Sequence, residues 1–320
     1  MSSLVHAGME RGSAGGNSFA SREKDRYWKM KMMKHLIAGI KRGLRLHRPG
    51  RSLLILPDDV FLVSFPKSGN TWTRFLLANL IYPEQLATFA NIHRLIPDPS
   101  GTNKRDFDRM PRPRIIKSHE CFDPRYPRVI YIVRDPRDVA VSQFHYHRKI
   151  MRIGDDSPIE NFVTLFLAGE TCPHGSWGQN VVTWLTTSAG DPRFLLLRYE
   201  DMVADTAREL GKIVAFLGIS ASPEQIAQAV ERSSAGRMRK LEQAQTDQCE
   251  LTKGSRKDLS FVRSAIAGGW RTELPEAEVA RLEDAWGHII AYLGYELLSP
   301  EKAANFNSRF AETTLRGSSR

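Results

Sequence analysis

The sequence predicts an α/β fold of three layers, in which helices flank a doubly wound, mainly parallel sheet. Three observations lead there. Short apolar or β-branched runs at residues 60–65, 114–117, 128–133 and 193–197 suit strands buried on both faces. Helical stretches follow them at 71–81, 136–149, 179–186 and 202–217, and strands that alternate with helices indicate parallel pairing. A turn of small and polar residues joins the first run to the first helix. Ligands of such sheets bind beyond the carboxyl ends of the strands, so the residues just after each run are where a site is sought.

A chain of 320 residues, 41% of them hydrophobic, buries one large core. The expected organisation is a basic extension at 1–51, one folded domain at 52–300 and a tail at 301–320. Residues 1–20 are polar and rich in Gly and Ser, without the apolar stretch of an export signal. At 24–46, Trp28, Met32, Leu36, Ile40 and Leu44 recur every four positions, with Lys29, Lys31, Lys34, Lys41, Arg42 and Arg45 around them, which reads as a basic amphipathic helix. It either packs on its own domain or rests on an anionic membrane surface, and a flexible basic arm is the third reading.

The formal charge is +10, yet residues 1–51 hold twelve Lys or Arg against three Asp or Glu, so the remaining chain is nearly neutral. A nucleic-acid enzyme carries its basic stripe on the folded body, so no nucleic-acid partner is expected. Every apolar run is far shorter than the roughly 20 residues that span a bilayer. Cys121, Cys172 and Cys249 are odd in number and widely spaced, fitting neither a disulfide framework nor a zinc site. The expected location is cytoplasmic, peripheral at the inner membrane surface if the 24–46 helix binds lipid.

After the first strand comes Phe65-Pro66-Lys67-Ser68-Gly69-Asn70-Thr71-Trp72. Gly69 permits close backbone approach, Ser68 and Thr71 offer hydroxyls, and the helix start offers unpaired N–H groups, so this P-loop-like turn suits a phosphate. It is not a Walker A loop, because the lysine precedes the glycine and a second glycine is missing. After the strand at 128–133, Asp135 and Pro136 are placed as N-cap and first helical residue, although an acid here also permits a Walker-B reading with Mg²⁺. Arg134 at the strand end and Ser142 about two helical turns on can reach one phosphate together. After the run at 114–117, His119 points toward the same crevice with an imidazole suited to proton abstraction near neutral pH. His145 and His147 are read as structural.

From about Asp58 to Leu297 these segments resemble the PAPS-dependent sulfotransferases of cytosolic type, PAPS being 3′-phosphoadenosine-5′-phosphosulfate. The resemblance implies that Lys67 contacts the bridging oxygen that leaves, that Ser68, Gly69, Asn70 and Thr71 hold the 5′-phosphate, and that Trp72 stacks on adenine. Asn70 stands where the family more often has Thr. Arg134, Asp138 and Ser142 match the family run that binds the 3′-phosphate, which ATP lacks. His119 matches the general base on the acceptor hydroxyl, and Lys117 lines the site. Tyr199, in Tyr199-Glu200-Asp201, matches a tyrosine near adenine, and Ser233 a hydroxyl residue on the adenosine, with Ala235 in place of an aromatic; Glu200 and Asp201 are read as helix caps. The family's lid over the 3′-phosphate matches residues 263–270, where Arg263, Gly268 and Trp270 are kept, while Ser264 and Ala265 replace a lysine and a glycine.

The resemblance implies in-line sulfuryl transfer without a metal, from PAPS as co-substrate to a small-molecule, glycan or lipid acceptor, and leaves a homodimer open. The loops at 81–112 and 148–179 shape the acceptor pocket, and the modest aromatic content of 9% with the polarity of the first loop favours an aliphatic or sugar hydroxyl over a flat phenol. Two other classes stay open on sequence: an ATP/Mg-dependent phosphotransferase, and a non-catalytic membrane-associated nucleotide-binding protein.

Overall fold

The computed structural model describes residues 53–298 apart from 100, 101, 103, 189 and 246–252. The expected 24–46 helix, Cys249 and the 301–320 tail lie outside the described residues. Four strands, β1 (Val60–Ser64), β2 (Ile115–Ser118), β3 (Arg128–Val133) and β4 (Phe194–Arg198), form one parallel sheet in the order β2-β1-β3-β4. The chain runs outward from β1 to β2, then returns to build β3 and β4 on the other side of β1, which is the doubly wound topology the sequence predicts.

Helices fill both faces. Between β1 and β3 come α1 (Asn70–Ile81) and two short helices, α2 (Ile92–Leu95) and α3 (Lys104–Asp108); between β3 and β4 come α4 (Pro136–Lys149), α5 (Ile159–Ala168) and α6 (Trp177–Ser188). After β4 follow α7 (Tyr199–Ala204), α8 (Thr206–Leu217), α9 (Pro223–Arg232), α10 (Ala235–Ala244), α11 (Trp270–Glu273) and α12 (Glu276–Tyr292). No helix among the described residues is long and apolar enough to cross a membrane.

Successive strand side chains point to opposite faces, so each buried run feeds two cores. Phe61, Val63, Ile116, Tyr131 and Val133 pack with Val139 of α4, Trp177 and Trp184 of α6 and Leu282 of α12. Val60, Leu62, Ile115, Ile130 and Ile132 pack with Phe75 and Leu76 of α1, Ile213 of α8 and Ala229 of α9. This two-sided burial is why β1, β3 and β4 read as nearly unbroken apolar runs, while β2 keeps only Ile115 and Ile116.

The stretch expected as one helix over 202–217 is two helices. Tyr199 already starts α7, and Asp205 stops it at φ −148° and then caps α8 by accepting the Arg208 N–H at 3.0 Å. Glu200 does not cap a helix. Its carboxylate accepts the Asp135 N–H at 3.1 Å and the Tyr295 hydroxyl at 2.7 Å, tying β4 to β3 and to the segment after α12.

Candidate active site

Strand register gathers the site. Val63 pairs with Ser118, so His119 falls beside Ser64; Ser64 pairs with Ile132, so Arg134 falls beside the turn after β1; Val133 pairs with Arg198, so Tyr199 falls beside Arg134. The strand ends open into one cavity of about 570 Å³, which Lys67, Lys117, His119, Arg134, Ser142 and Tyr199 all line. Gly69, Asn70, Thr71, Trp72 and Arg263 line it too.

Backbone strain marks the β1 turn. Lys67 has φ +71° and Gly69 has φ +101°. A left-handed conformation costs a residue with a Cβ about 1–2 kcal/mol, and such strain collects at functional positions. At Gly69 a Cβ would lie 2.7 Å from Tyr199 Cδ2, so only glycine fits. No side chain caps α1, which leaves first-turn N–H groups to an anion. Ser68 is fully buried with its hydroxyl unpaired among the described residues. The Asn70 amide donates to the Leu62 carbonyl at 3.2 Å and to Ser64 Oγ at 3.3 Å, so this side chain staples the turn to β1.

Lys67 Nζ stands 4.4 Å from the centre of the Tyr146 ring and 4.2 Å from that of Phe261. Burial, and next the Arg134 charge, push its pKa down to about 7. A phosphate arriving beside it restores the ammonium, because an opposite charge favours the charged form. The ring on one side is held by a second network: Lys149 pairs with Glu242 at 3.2 Å, and that carboxylate accepts the Phe261 and Val262 N–H groups at 2.5 and 3.0 Å.

His119 Nδ1 lies 2.7 Å from the Ser64 carbonyl. A carbonyl only accepts, so Nδ1 carries the proton and Nε2 keeps its lone pair. Burial first, then the charges of Lys117 and His174, hold the imidazole well below its ordinary value and therefore neutral. Asn180 fixes the segment by donating to the His119 carbonyl at 3.1 Å while accepting from the Tyr131 hydroxyl at 2.8 Å. Lys117 is buried in an ion pair with Asp98.

Arg134 links the two halves. It donates to the carbonyls of Lys67 at 3.3 Å and Ile266 at 3.0 Å, lies 4.2 Å above the Tyr199 ring, and is 3.6 Å from Asp138. Its Nε is buried and unpaired among the described residues. Asp138 accepts the Gly268 N–H at 2.7 Å and the Trp270 N–H at 3.0 Å, so it holds the 263–270 segment against α4. Asp135 caps α4 by accepting the Arg137 N–H at 2.9 Å, and it pairs with the Arg137 guanidinium at 2.6 Å.

Three expected contact residues stand off the cavity: Ser68, buried in the turn, Ser233 and Gly268. Ser233 is fully buried; its hydroxyl accepts from Asn79 Nδ2 at 3.0 Å and its carbonyl from Trp72 Nε1 at 3.1 Å, so it props Trp72 from behind. Its neighbour Ser234 lines the cavity instead. Gly268 faces away, its N–H taken by Asp138. Arg263 pairs with Glu273 at 2.6 Å, and the same carboxylate holds His145 Nε2 at 2.6 Å.

Ala265 adopts φ +55° on the exposed rim. An exposed Ala→Gly change normally destabilises through unfolded-chain entropy, by about 0.4–1 kcal/mol. Here it also relieves a left-handed alanine worth about 1–2 kcal/mol. Ala265→Gly is therefore expected to leave Tm unchanged or higher; a clear fall in thermal melting would contradict the strain.

Tyr146, His147, Arg152, Thr171, His174 and Phe261 line the cavity as well. Sequence reading missed these. Tyr146 and His147 sit on a helix whose periodicity says only that one face is inward, and the others sit on connections with no motif.

Residues 57–296 match the family model described as the sulfotransferase domain. Sulfotransferase 1A1 of Bos taurus is 31% identical over 246 residues, covering 72% of this chain and 82% of its own. The amine sulfotransferase of Oryctolagus cuniculus is 27% identical over 243 residues, covering 72% and 79%. Among solved structures, mouse sulfotransferase SULT7A1 complexed with PAP superposes with a TM-score of 0.58 at 26% identity, covering 75% of this chain and 87% of that one.

Proposed function

The chain belongs to the sulfotransferase domain family, and on that premise we propose that it transfers a sulfuryl group from PAPS to a hydroxyl or amine of a small-molecule acceptor. The observation that carries this reading is that Lys67, with its uncapped helix start, the Arg134–Ser142 pair and the neutral imidazole of His119 all line one cavity. The buried, unpaired Ser68 hydroxyl and Arg134 Nε are polar atoms that a bisphosphate nucleotide would satisfy.

In this mechanism the acceptor oxygen forms the new bond to sulfur while the bond from sulfur to the 5′-phosphate oxygen breaks. His119 Nε2 takes the acceptor proton as attack proceeds. The electron pair of the broken bond stays on the phosphate oxygen, where the Lys67 ammonium neutralises it. Lys117 sits in the same cavity and contributes positive charge beside His119. Ser68, Gly69, Asn70 and Thr71 form the 5′-phosphate turn, with Asn70 acting through the turn's shape. Arg134, Ser142 and Arg263 face the 3′-phosphate, and Trp72 and Tyr199, edge to face at 5.8 Å, form the adenine wall with Ser233 behind it. Positioning and charge stabilisation supply most of the rate, as in phosphoryl transfer.

Ligand-dependent melting tests the nucleotide. Adenosine 3′,5′-bisphosphate (PAP) at a hundredfold its Kd is expected to stabilise the protein by about 2.7 kcal/mol, with a far smaller effect from Mg-ATP. Stabilisation by Mg-ATP and none by PAP would turn the assignment toward a phosphotransferase.

A further inference from the structure

Resting on the sulfotransferase reading, we infer that the acceptor is an alcohol carrying an anionic group, a carboxylate or phosphate, which Arg152 and Thr171 recognise where they line the cavity. The inference starts from how α4 ends. Met151 adopts φ +57°, and the Met151 and Arg152 N–H groups donate to the carbonyls of Arg148 at 3.0 Å and His147 at 2.8 Å. This is a Schellman closure, whose left-handed position is normally glycine. With a methionine there the closure stores about 1–2 kcal/mol of strain, and its result is to set Arg152 at the edge of the cavity beside His147.

The guanidinium of Arg152 makes no hydrogen bond or ion pair among the described residues, whereas most other charged groups around it are spoken for. Lys117 pairs with Asp98, and Arg148 with Asp155 at 2.9 Å. Thr171 lines the same cavity at 4% exposure, with its hydroxyl unpaired among the described residues. A buried hydroxyl left unpaired costs about 1–3 kcal/mol, so its presence there points to a polar ligand group. A free planar fork beside a free hydroxyl, with Lys67 lining the same cavity, fits a carboxylate or phosphate and disfavours an amine.

Matched acceptors test this. PAPS-dependent sulfation of 6-hydroxyhexanoate is compared with hexane-1,6-diol, and 4-hydroxyphenylacetate with 2-(4-hydroxyphenyl)ethanol, alongside ω-hydroxyalkyl phosphates. The acid-bearing members are expected to win in kcat/KM by about tenfold or more, the worth of one charge-assisted hydrogen bond. Arg152→Gln and Thr171→Val should erase or shrink that advantage without altering rates on the neutral members, and Arg152→Lys should restore part of it. Equal rates on paired members, an Arg152→Gln loss that falls on both members alike, or turnover confined to neutral alcohols overturns the inference. So does a protein that PAP stabilises but that sulfates no anionic alcohol of the panel. Failure of PAP to stabilise the wild type would instead remove the sulfotransferase reading itself.

Discussion

Lys67→Met is expected to lower kcat by about 10²–10³-fold, the usual loss when one preorganised partner of a developing oxyanion is removed, and at the same time to raise thermal stability near pH 6. The two effects have one cause. The ammonium is enclosed by the Tyr146 and Phe261 rings and faces Arg134, and burial with that charge brings its pKa from the ordinary 10.5 to about 7. Because the folded value lies below the unfolded one, Lys67 destabilises the fold fully below pH 7, and the penalty fades as pH rises from 7 toward 10.5. Methionine fills similar volume without the charge and keeps contact with the rings. Each kcal/mol relieved shifts Tm by about 2–4 °C in a domain of this size, so the gain should be larger at pH 6 than at pH 9. PAP binding should also take up a proton near and above pH 7, visible as a dependence of calorimetric enthalpy on buffer ionisation. A variant that stays fully active, or that melts lower at pH 6, contradicts this account of Lys67.

Why the sheet was legible and parts of the site were not follows from how local each signal is. The four strands lie within one residue of the runs that predict them, because burial on both faces makes β1, β3 and β4 apolar nearly throughout, while β2 reads from the Ile115-Ile116 pair alone. The turn at 66–72 is legible because one short run sets its shape, with Lys67 and Gly69 left-handed and a helix opening at Asn70. Ser233 misled because its neighbour Ser234 reaches the cavity, and a helix cap is the kind of place where a shift of one residue reverses inside and out. Asp205 was read as helical because a single capping acid inside a periodic stretch looks like a solvated position. The helices at 159–168, 223–232 and 276–292 carry no clear local signal because their apolar residues serve distant partners such as Trp286 against Trp177 and Phe166. Arg152 had no sequence signal, since its importance rests on a left-handed Met151 that only coordinates reveal.

His119→Gln is expected to lower kcat by about 10²–10⁴-fold, the range for loss of a general base, while leaving PAP stabilisation and Tm close to wild type. Glutamine can still donate toward the Ser64 carbonyl, so the segment pinned through Asn180 keeps its shape, but no nitrogen remains to take the acceptor proton. The pH profile separates chemistry from packing. In the free enzyme the imidazole titrates well below 6.5 and Lys67 near 7, so the wild-type kcat/KM should fall on the acid side only well below pH 6.5 and on the alkaline side from about pH 7. Binding of PAPS raises the Lys67 value, so the alkaline limb of kcat should lie higher than that of kcat/KM. His119→Gln should lose the acid limb and keep the alkaline one, and Lys67→Met should do the reverse. An acid limb that persists in His119→Gln would assign the base elsewhere, with His174 the nearest candidate at 5.6 Å between ring centres.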